Sequence, residues 1–286
     1  MTPYTPQPYK IESTKTLAPD VKLFRVKSDL NPQPGQFLQV SIPGIGECPL
    51  ASCSYNPEYI DLLTRKAGNV TSAIFQLKPE DKIFIRGPFG KGFPTNSLKN
   101  HNLIMIAGGT GIAPVTSLIE FVEKNRDDFK EIFIYFGFRD EKYVLLKDRI
   151  KKWKKKFNLN IAIASDIHSH EYEKGFVQDV MEKHRPETSN TIALLCGPEP
   201  MMQAVTDKLN SLGVSNHKIF WSTERRMECG FGNCGRCLIQ DVYVCKDGPV
   251  FRYDFIKHRV GNEASANKIK EKPTIEEKPK FENKIN

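Results

Sequence analysis

The first hundred residues carry short runs in which hydrophobic and polar positions partly alternate, as they do in half-buried β-strands. These runs cover residues 9–15, 21–26, 36–42, 59–64 and 82–86. Proline and glycine interrupt the chain between them, and only residues 71–77 have the character of a short helix. The spacing of the runs predicts a small antiparallel β-barrel.

From residue 101 onward, apolar runs alternate with amphipathic segments of helical period. The predicted strands are residues 102–107, 131–137, 160–164 and 191–196, and the predicted helices are residues 114–124, 145–157, 175–183 and 200–212. This strand–helix alternation predicts a doubly wound α/β domain with a parallel sheet.

The length of the chain agrees with this division, since 286 residues correspond to about two domains of roughly 150 residues each. We assign residues 1–100 to the barrel, 101–222 to the α/β domain, 223–260 to a cysteine-rich segment and 261–286 to a charged tail. The tail is rich in Lys, Glu and Pro and poor in large apolar side chains, so it is predicted to be mobile.

Composition excludes several classes of protein. A hydrophobic content of 39% is enough for a packed core, which excludes a wholly disordered chain. The longest apolar runs, such as residues 103–107, are far shorter than the ~18 residues that span a bilayer. The first residues lack the pattern of a secretory signal. We therefore expect a cytoplasmic protein with no membrane partner.

The formal net charge of +8 invites comparison with proteins that bind nucleic-acid phosphates. The densest basic run, residues 149–156, overlaps an apolar stripe at helical spacing, formed by Leu146, Ile150, Trp153 and Phe157. The lysines of such an amphipathic helix lie on its solvated faces, and a docking patch for an acidic partner is the alternative. We therefore expect no nucleic-acid partner.

Four of the seven cysteines lie close together in the sequence, as Cys229, Cys234, Cys237 and Cys245. Without a secretory signal, a tight cysteine cluster favours metal ligation over disulfides. The C-x4-C-x2-C spacing is that of plant-type [2Fe–2S] ligation. Four-cysteine zinc sites usually show two C-x2-C pairs, and this chain has one. A [2Fe–2S] cluster is therefore favoured, and a zinc-stabilised basic binding module remains the alternative.

Glycines follow two of the predicted parallel strands. Gly108, Gly109, Thr110 and Gly111 lie between strand 102–107 and helix 114–124, where backbone N–H groups can bind a dinucleotide pyrophosphate. Cys196, Gly197 and Pro198 follow strand 191–196 and are expected to reach the same crevice. By itself Cys196 would be a buried small residue, and beside the crevice it becomes a candidate to pack against a nicotinamide ring.

Two segments of the barrel half are candidates for a second cofactor. Gly68, Thr71 and Ser72 open the short helix, where they suit either a phosphate group or an N-cap alone. The run that follows Glu47, through Ser54, is small and uncharged, so a flat ring can lie against its backbone.

Taken together, these motifs resemble the ferredoxin–NADP⁺ reductase superfamily, and the cysteine cluster resembles its iron–sulfur flavoprotein electron-transfer subunits. The resemblance covers residues 8–258 and is strongest to the electron-transfer subunit of anaerobic sulfite reductase, then to the sulfhydrogenase gamma subunit, with the dihydroorotate dehydrogenase electron-transfer subunit also similar. It rests on residues 46–54, 65–74, 86–94, 224–229 and 243–251. The Arg of the superfamily's flavin motif R-x-[YF]-[ST] is missing, and Ala51 stands where many relatives have Ser.

The resemblance implies FAD in the barrel, NADH or NADPH on the α/β domain and a [2Fe–2S] cluster at the four cysteines. It implies Cys196 and Ser52 as the catalytic positions beside the reacting rings. The implied FAD-binding residues are Pro49, Leu50, Ala51, Ser52, Arg65, Gly68, Val70, Thr71 and Ser72. The implied NAD(P)-binding residues are Gly108, Gly109, Thr110, Gly111, Cys196, Gly197 and Pro198.

The expected function is to take hydride from NAD(P)H onto FAD and to pass single electrons through the cluster to a terminal reductase subunit that carries further Fe–S clusters. Sulfite reduction is the first expectation for that subunit, and a hydrogenase or sulfhydrogenase complex is the second. A self-contained reductase for a soluble ferredoxin or oxygenase is a further alternative.

Overall fold

The computed structural model describes residues 4–164 and 171–260. The chain begins with six strands: β1 (Gln7–Ala18), β2 (Val21–Lys27), β3 (Phe37–Ile42), β4 (Gly46–Ala51), β5 (Tyr59–Arg65) and β6 (Lys82–Phe89). They pair antiparallel in the order β4-β3-β6-β1-β2-β5. A bridge between Ser52 and Leu62 joins the two edges. The predicted antiparallel barrel is confirmed.

The barrel encloses the apolar side chains of its alternating positions, among them Phe24, Leu38 and Ile85. Helix α1 (Asn69–Gln76) adds Ile74 to this core and begins two residues before the predicted segment. Strand β4 overlaps the small, uncharged run after Glu47, which the sequence predicted as a surface for a flat ring and not as a strand. Its Gly and Pro have low strand propensity, and its pairing with β3 makes it a strand.

The second half contains β7 (Asn102–Gly108), α2 (Ile112–Lys124), β8 (Ile132–Phe138), α3 (Lys147–Trp153), β9 (Asn158–Ile163), β10 (Glu173–Lys174), α4 (Val177–Lys183), β11 (Thr191–Cys196), α5 (Glu199–Ser211) and β12 (Ile219–Ser222). Strands β10, β9, β8, β7, β11 and β12 pair parallel in that order. The predicted doubly wound sheet is confirmed, with β10 and β12 as additional strands that are too short to show a period in the sequence.

The cysteine-rich segment continues with β13 (Leu238–Ile239), β14 (Val242–Tyr243), α6 (Val244–Asp247), β15 (Val250–Arg252) and α7 (Tyr253–Ile256). Strand β15 pairs antiparallel with β12 and is the seventh strand of the α/β sheet. The sheet is therefore mixed at this edge, whereas the sequence predicted it to be parallel. Pro249 also bridges to Lys91 of the barrel.

Helix α3 is shorter than the predicted helix 145–157, but all four residues of its apolar stripe are buried. The lysines of residues 151–156 are exposed, as expected. Arg149 departs from that pattern because it is only 19% exposed and forms ion pairs. The tail that was predicted to be mobile lies outside the described residues. Among the helices of residues 4–164 and 171–260, none has the length and apolar character to cross a membrane.

Candidate functional site

A crevice with two adjoining cavities runs along the carboxyl ends of the parallel strands, where the α/β domain faces the barrel. The first cavity has a volume of about 290 Å³ and the second about 240 Å³. Arg65 of the barrel and Thr110 of the α/β domain line both cavities. A ligand in one cavity would therefore lie next to a ligand in the other.

The first cavity is lined by most of the residues predicted to bind NAD(P). Gly108, Gly109, Thr110 and Pro198 line it, together with residues 137–139 at the end of β8. The loops after β7 and β11 touch closely, because a Cβ on Gly111 would lie 2.5 Å from the carbonyl oxygen of Cys196. The structure thus brings the two predicted glycine segments to one place, as the parallel order of their strands requires.

The second cavity joins the barrel, the α/β domain and the start of the cysteine-rich segment. Its barrel wall is formed by Pro49, Leu50, Ala51, Leu63 and Arg65. Thr110, Ala113, Pro114 and Cys196 form the facing wall. The cavity is lined mainly by apolar side chains, as the site of a flat aromatic ring would be.

Cys196 lies at this cavity with 1% of its surface exposed. Burial, together with the nearby charge of Glu224, raises the pKa of its thiol far above the usual value. The side chain is therefore a neutral thiol at physiological pH.

Several predicted FAD residues lie outside the cavity wall. Ser52 is fully buried, and its hydroxyl donates to the Ser54 carbonyl at 2.9 Å. The hydroxyl of Thr71 accepts the N–H groups of Ala67 and Gly68 at 2.9 Å each, which is a capping arrangement for α1. Val70 lies close to Gly46, and it is half-buried, as is Ser72.

Sequence reasoning missed the part of the second cavity formed by Ser222, Thr223, Glu224, Arg225 and Met227. This segment follows β12, a strand that the sequence did not reveal. The signal that could have found it was the family resemblance over residues 224–229, of which only Cys229 was predicted as a site residue. Met227 is two residues before Cys229, so the cavity wall continues directly into the cysteine loop.

In that loop, backbone N–H groups point at cysteine sulfur atoms. Gly232 N lies 3.0 Å from Cys245 Sγ, and Asn233 N lies 3.3 Å from Cys229 Sγ. Gly230, Gly232 and Gly235 have φ of +84°, +80° and +78°, which turns these amides inward at no steric cost. Such N–H···S contacts are typical of the surroundings of Fe–S clusters.

The four thiols are close in space, because Cys229 interacts with Cys234, and Cys245 interacts with both Cys237 and Cys229. Cys237 and Cys245 are buried, Cys229 is half-buried and Cys234 is exposed. Within residues 4–164 and 171–260, no three His, Cys, Asp or Glu side chains are grouped so that they could hold a metal ion as they stand. The loop contacts the barrel, since a Cβ on Gly230 would lie 3.2 Å from Gln39 Cγ and from Phe89.

Two family profiles match parts of the chain. Residues 105–207 match the oxidoreductase NAD-binding domain, and residues 224–257 match the iron-sulfur cluster binding domain of dihydroorotate dehydrogenase B. The first match contains the loops of both glycine segments, and the second contains all four clustered cysteines.

Two curated relatives match along nearly their whole length. The sulfhydrogenase 2 subunit gamma of Pyrococcus furiosus is 34% identical over 88% of this chain and 96% of its own. The probable dihydroorotate dehydrogenase B (NAD⁺) electron transfer subunit of Thermococcus kodakarensis is 35% identical over 84% of this chain and 94% of its own.

Solved structures show the same fold at lower identity. An NADH-dependent reduced ferredoxin-NADP oxidoreductase aligns with a TM-score of 0.71 and 24% identity, over 91% of this chain and 97% of the other. A ferredoxin NADP⁺ reductase from Neisseria gonorrhoeae, solved with bound FAD and NADP, aligns with a TM-score of 0.65 and 15% identity over 76% and 97%. The chain therefore has the ferredoxin–NADP reductase-like fold and belongs to the oxidoreductase family that includes the sulfhydrogenase gamma subunits and the dihydroorotate dehydrogenase B electron transfer subunits.

Proposed function

We propose that this chain is the electron-input subunit of a multisubunit reductase, with NAD(P)H in the first cavity, FAD in the second and a [2Fe–2S] cluster at Cys229, Cys234, Cys237 and Cys245. The observation that carries the proposal is the continuity of the three sites. The two cavities share Arg65 and Thr110, and the wall of the second cavity leads through Met227 into the cysteine loop. The chemistry that these groups supply when bound is two-electron transfer at the nicotinamide, two- or one-electron transfer at the flavin and one-electron transfer at the cluster.

The residues of the second cavity fit a flavin. Pro49, Leu50 and Ala51 of β4 give an apolar wall to the cavity that Cys196 also lines. Arg65 is 56% exposed on its side chain and is oriented by a hydrogen bond of 3.1 Å from Nε to Asp20 Oδ2. This guanidinium is placed to bind a phosphate group of FAD or of NAD(P)H. It can therefore supply the positive charge that the missing Arg of the flavin motif would otherwise provide.

The spacing of the four cysteines supports a binuclear cluster rather than a single zinc ion, because it contains one C-x2-C pair and follows the C-x4-C-x2-C pattern. A [2Fe–2S] cluster takes two thiolates on each of two irons, and the four clustered cysteines supply that number of thiolates. A tetrahedral zinc ion requires all four sulfur atoms around one point. The amide N–H groups directed at the cysteine sulfurs provide hydrogen bonds that would stabilise thiolates bound to iron.

The partner is a terminal reductase subunit that carries further Fe–S clusters, and the proposal includes a cytoplasmic location. Sulfite reduction is the first candidate, on the basis of the seven-residue gap before Cys245 and the sequence of residues 60–63. A hydrogenase-type partner is the second candidate, and the similarity to a sulfhydrogenase gamma subunit favours it. Purification with native partners, followed by sulfite-dependent and hydrogen-dependent assays, distinguishes them.

The cofactor content is tested by an anaerobic visible spectrum with iron, sulfide, zinc and flavin quantitation, before and after NADH or NADPH. We expect about two irons and one flavin per chain, and bleaching by at least one nucleotide. A colourless chain with one zinc and no flavin would refute the proposal in favour of the binding module.

The order of the sites is tested with Cys234→Ser. Because Cys234 is exposed at the outer side of the loop, the variant should retain FAD and NAD(P)H oxidation with an artificial two-electron acceptor. Transfer to the partner should fall at least tenfold, while Cys48→Ser, a half-buried thiol of β4 outside the loop, should behave as wild type. Loss of flavin reduction in a folded Cys234→Ser chain would contradict the order.

A further inference from the structure

Beneath the cysteine loop, a buried ion pair belongs to the outer face of the barrel. Arg86 of β6 has 8% of its side chain exposed, and its Nε donates to Glu47 Oε2 of β4 at 2.7 Å. The second carboxylate oxygen of Glu47 accepts from Arg86 Nη2, so the pair is bidentate. Neither residue lines the two cavities, so the proposed function leaves the pair without a role.

The same guanidinium reaches the backbone of the first cysteine ligand. Arg86 Nη1 donates to the Cys229 carbonyl at 2.6 Å, and Nη2 donates to the Glu228 carbonyl at 3.0 Å. Gln39 of β3, which faces Arg86 across the sheet, also donates to the Glu228 carbonyl at 3.3 Å. Side chains of the barrel thus hold the backbone at the start of the cysteine loop.

We propose that Arg86 and Glu47 form an electrostatic tuning pair that docks the Cys229 segment on the barrel and sets the reduction potential of the iron–sulfur cluster. This inference rests on the proposed function, because it requires a cluster at the four cysteines. Arg86 acts through the ligand's own backbone, so it is a positioning residue.

The direction of the effect follows from charge. Reduction adds one negative charge to the cluster, and a nearby buried cation stabilises that charge more than an exposed one would. The negative charge of Glu47 partly offsets the positive charge of Arg86 at the cluster. Removing Arg86 therefore disfavours reduction, whereas neutralising Glu47 leaves the guanidinium uncompensated and favours it. Simple loosening of the loop cannot shift the potential in opposite directions.

The test is a potentiometric titration of the full-length holoprotein with dithionite, followed by visible absorbance and the EPR signal of the reduced cluster. Arg86→Met should lower the equilibrium constant for cluster reduction about tenfold, which is about 59 mV toward more negative potential for one electron. Glu47→Gln should move the potential in the positive direction. Arg86→Lys keeps the charge and should remain closer to wild type than Arg86→Met does.

Lys10→Met is the matched control, because Lys10 belongs to the neighbouring strand β1 and its ion pair with Glu80 is exposed. Lys10→Met also removes one positive charge. The reduction potential of the cluster should stay unchanged, because water screens the exposed Lys10 charge. Iron content and thermal stability are recorded for each variant. If Arg86→Met loses its iron, the reduction potentials of Glu47→Gln and Arg86→Lys test the tuning pair instead.

Potentials that stay unchanged in Arg86→Met and Glu47→Gln, or that shift in the same direction in both, would overturn the tuning pair while leaving the proposed function intact. A wild-type chain without iron would instead overturn the proposed function, and the inference with it.

Discussion

At the residue scale, burial decides the protonation state of the thiol at the second cavity. Cys196 ends β11, and its carbonyl oxygen is covered by Gly111, so water reaches little of the residue. Because the pKa of a buried thiol rises, Cys196 does not ionise near neutral pH. Under the proposed function, Cys196 would therefore contribute shape and contact with a bound ring, and not charge or nucleophilic attack.

Cys196→Ala should slow NAD(P)H-dependent reduction of the flavin by about ten- to a hundredfold, because a shift of about 1 Å in ring position has effects of that size. Stopped-flow absorbance between pH 6 and 9 measures the rate. Since the pKa of the thiol lies above this window, no step in the wild-type profile should disappear in Cys196→Ala. Cys48→Ala serves as the control, and a pH step removed by Cys196→Ala would show that the thiol ionises.

At the element scale, the loops after β7 and β11 pack backbone against backbone. A Cβ on Gly111 would meet both the Cys196 carbonyl and Gly197 N, and one on Gly108 would meet the sulfur of Met201 in α5 at 2.5 Å. Adjacent parallel strands bring their carboxyl ends to the same edge, and glycines at these positions allow the two loops to approach each other this closely.

Gly111→Ala should therefore separate the two loops. Its φ of −61° suits alanine, so the effect is steric and not conformational. We expect a loss of about 1–3 kcal/mol of stability from overpacking and at least a tenfold rise in the Kd for NAD(P)H, measured by thermal denaturation and calorimetry. Gly44→Asn, in a turn with open space around it, is the control. Unchanged affinity in Gly111→Ala would contradict the steric explanation.

At the scale of the whole molecule, a buried ionic network joins the barrel to the α/β domain. Asp61 of β5 is fully buried, and Arg25 of β2 binds both of its oxygens at 2.8 and 2.9 Å. From α3, Arg149 also binds Asp61, and it donates to the Cys53 carbonyl at 2.6 Å. Glu120 of α2 lies 3.2 Å from Arg149. This network fixes the position of the two domains whose facing surfaces form the crevice.

Arg149→Met should destabilise the protein by about 3 kcal/mol, because it leaves the buried Asp61 carboxylate with Arg25 as its remaining cationic partner in the network. Chemical denaturation of the full-length chain measures the change. Lys151→Met removes an exposed charge from the same helix and should stay within about 0.5 kcal/mol of wild type. Equal stability of the two variants would show that the network does not join the domains.

Much of the fold could be predicted because it depends on local periodicity. The barrel, the alternation of strand and helix and the buried stripe of α3 all follow from the spacing of apolar residues. Strands β4, β12 and β15 could not be predicted in this way. They are short or rich in Pro, Cys and Gly, and their strand conformation depends on pairing with partners far along the chain.

The sequence by itself determined the elements, the two glycine segments and the cysteine spacing, because each of these is set by residues within a few positions of one another. Tertiary structure alone decided how they meet. It placed Pro49 and Cys196 at the same cavity and directed the Ser52 hydroxyl into the protein. It also buried Arg149, which belongs to a basic run of the sequence, in an ion pair between the domains. Those outcomes depend on distances between strands that are remote in sequence, and the packing of the whole chain sets such distances.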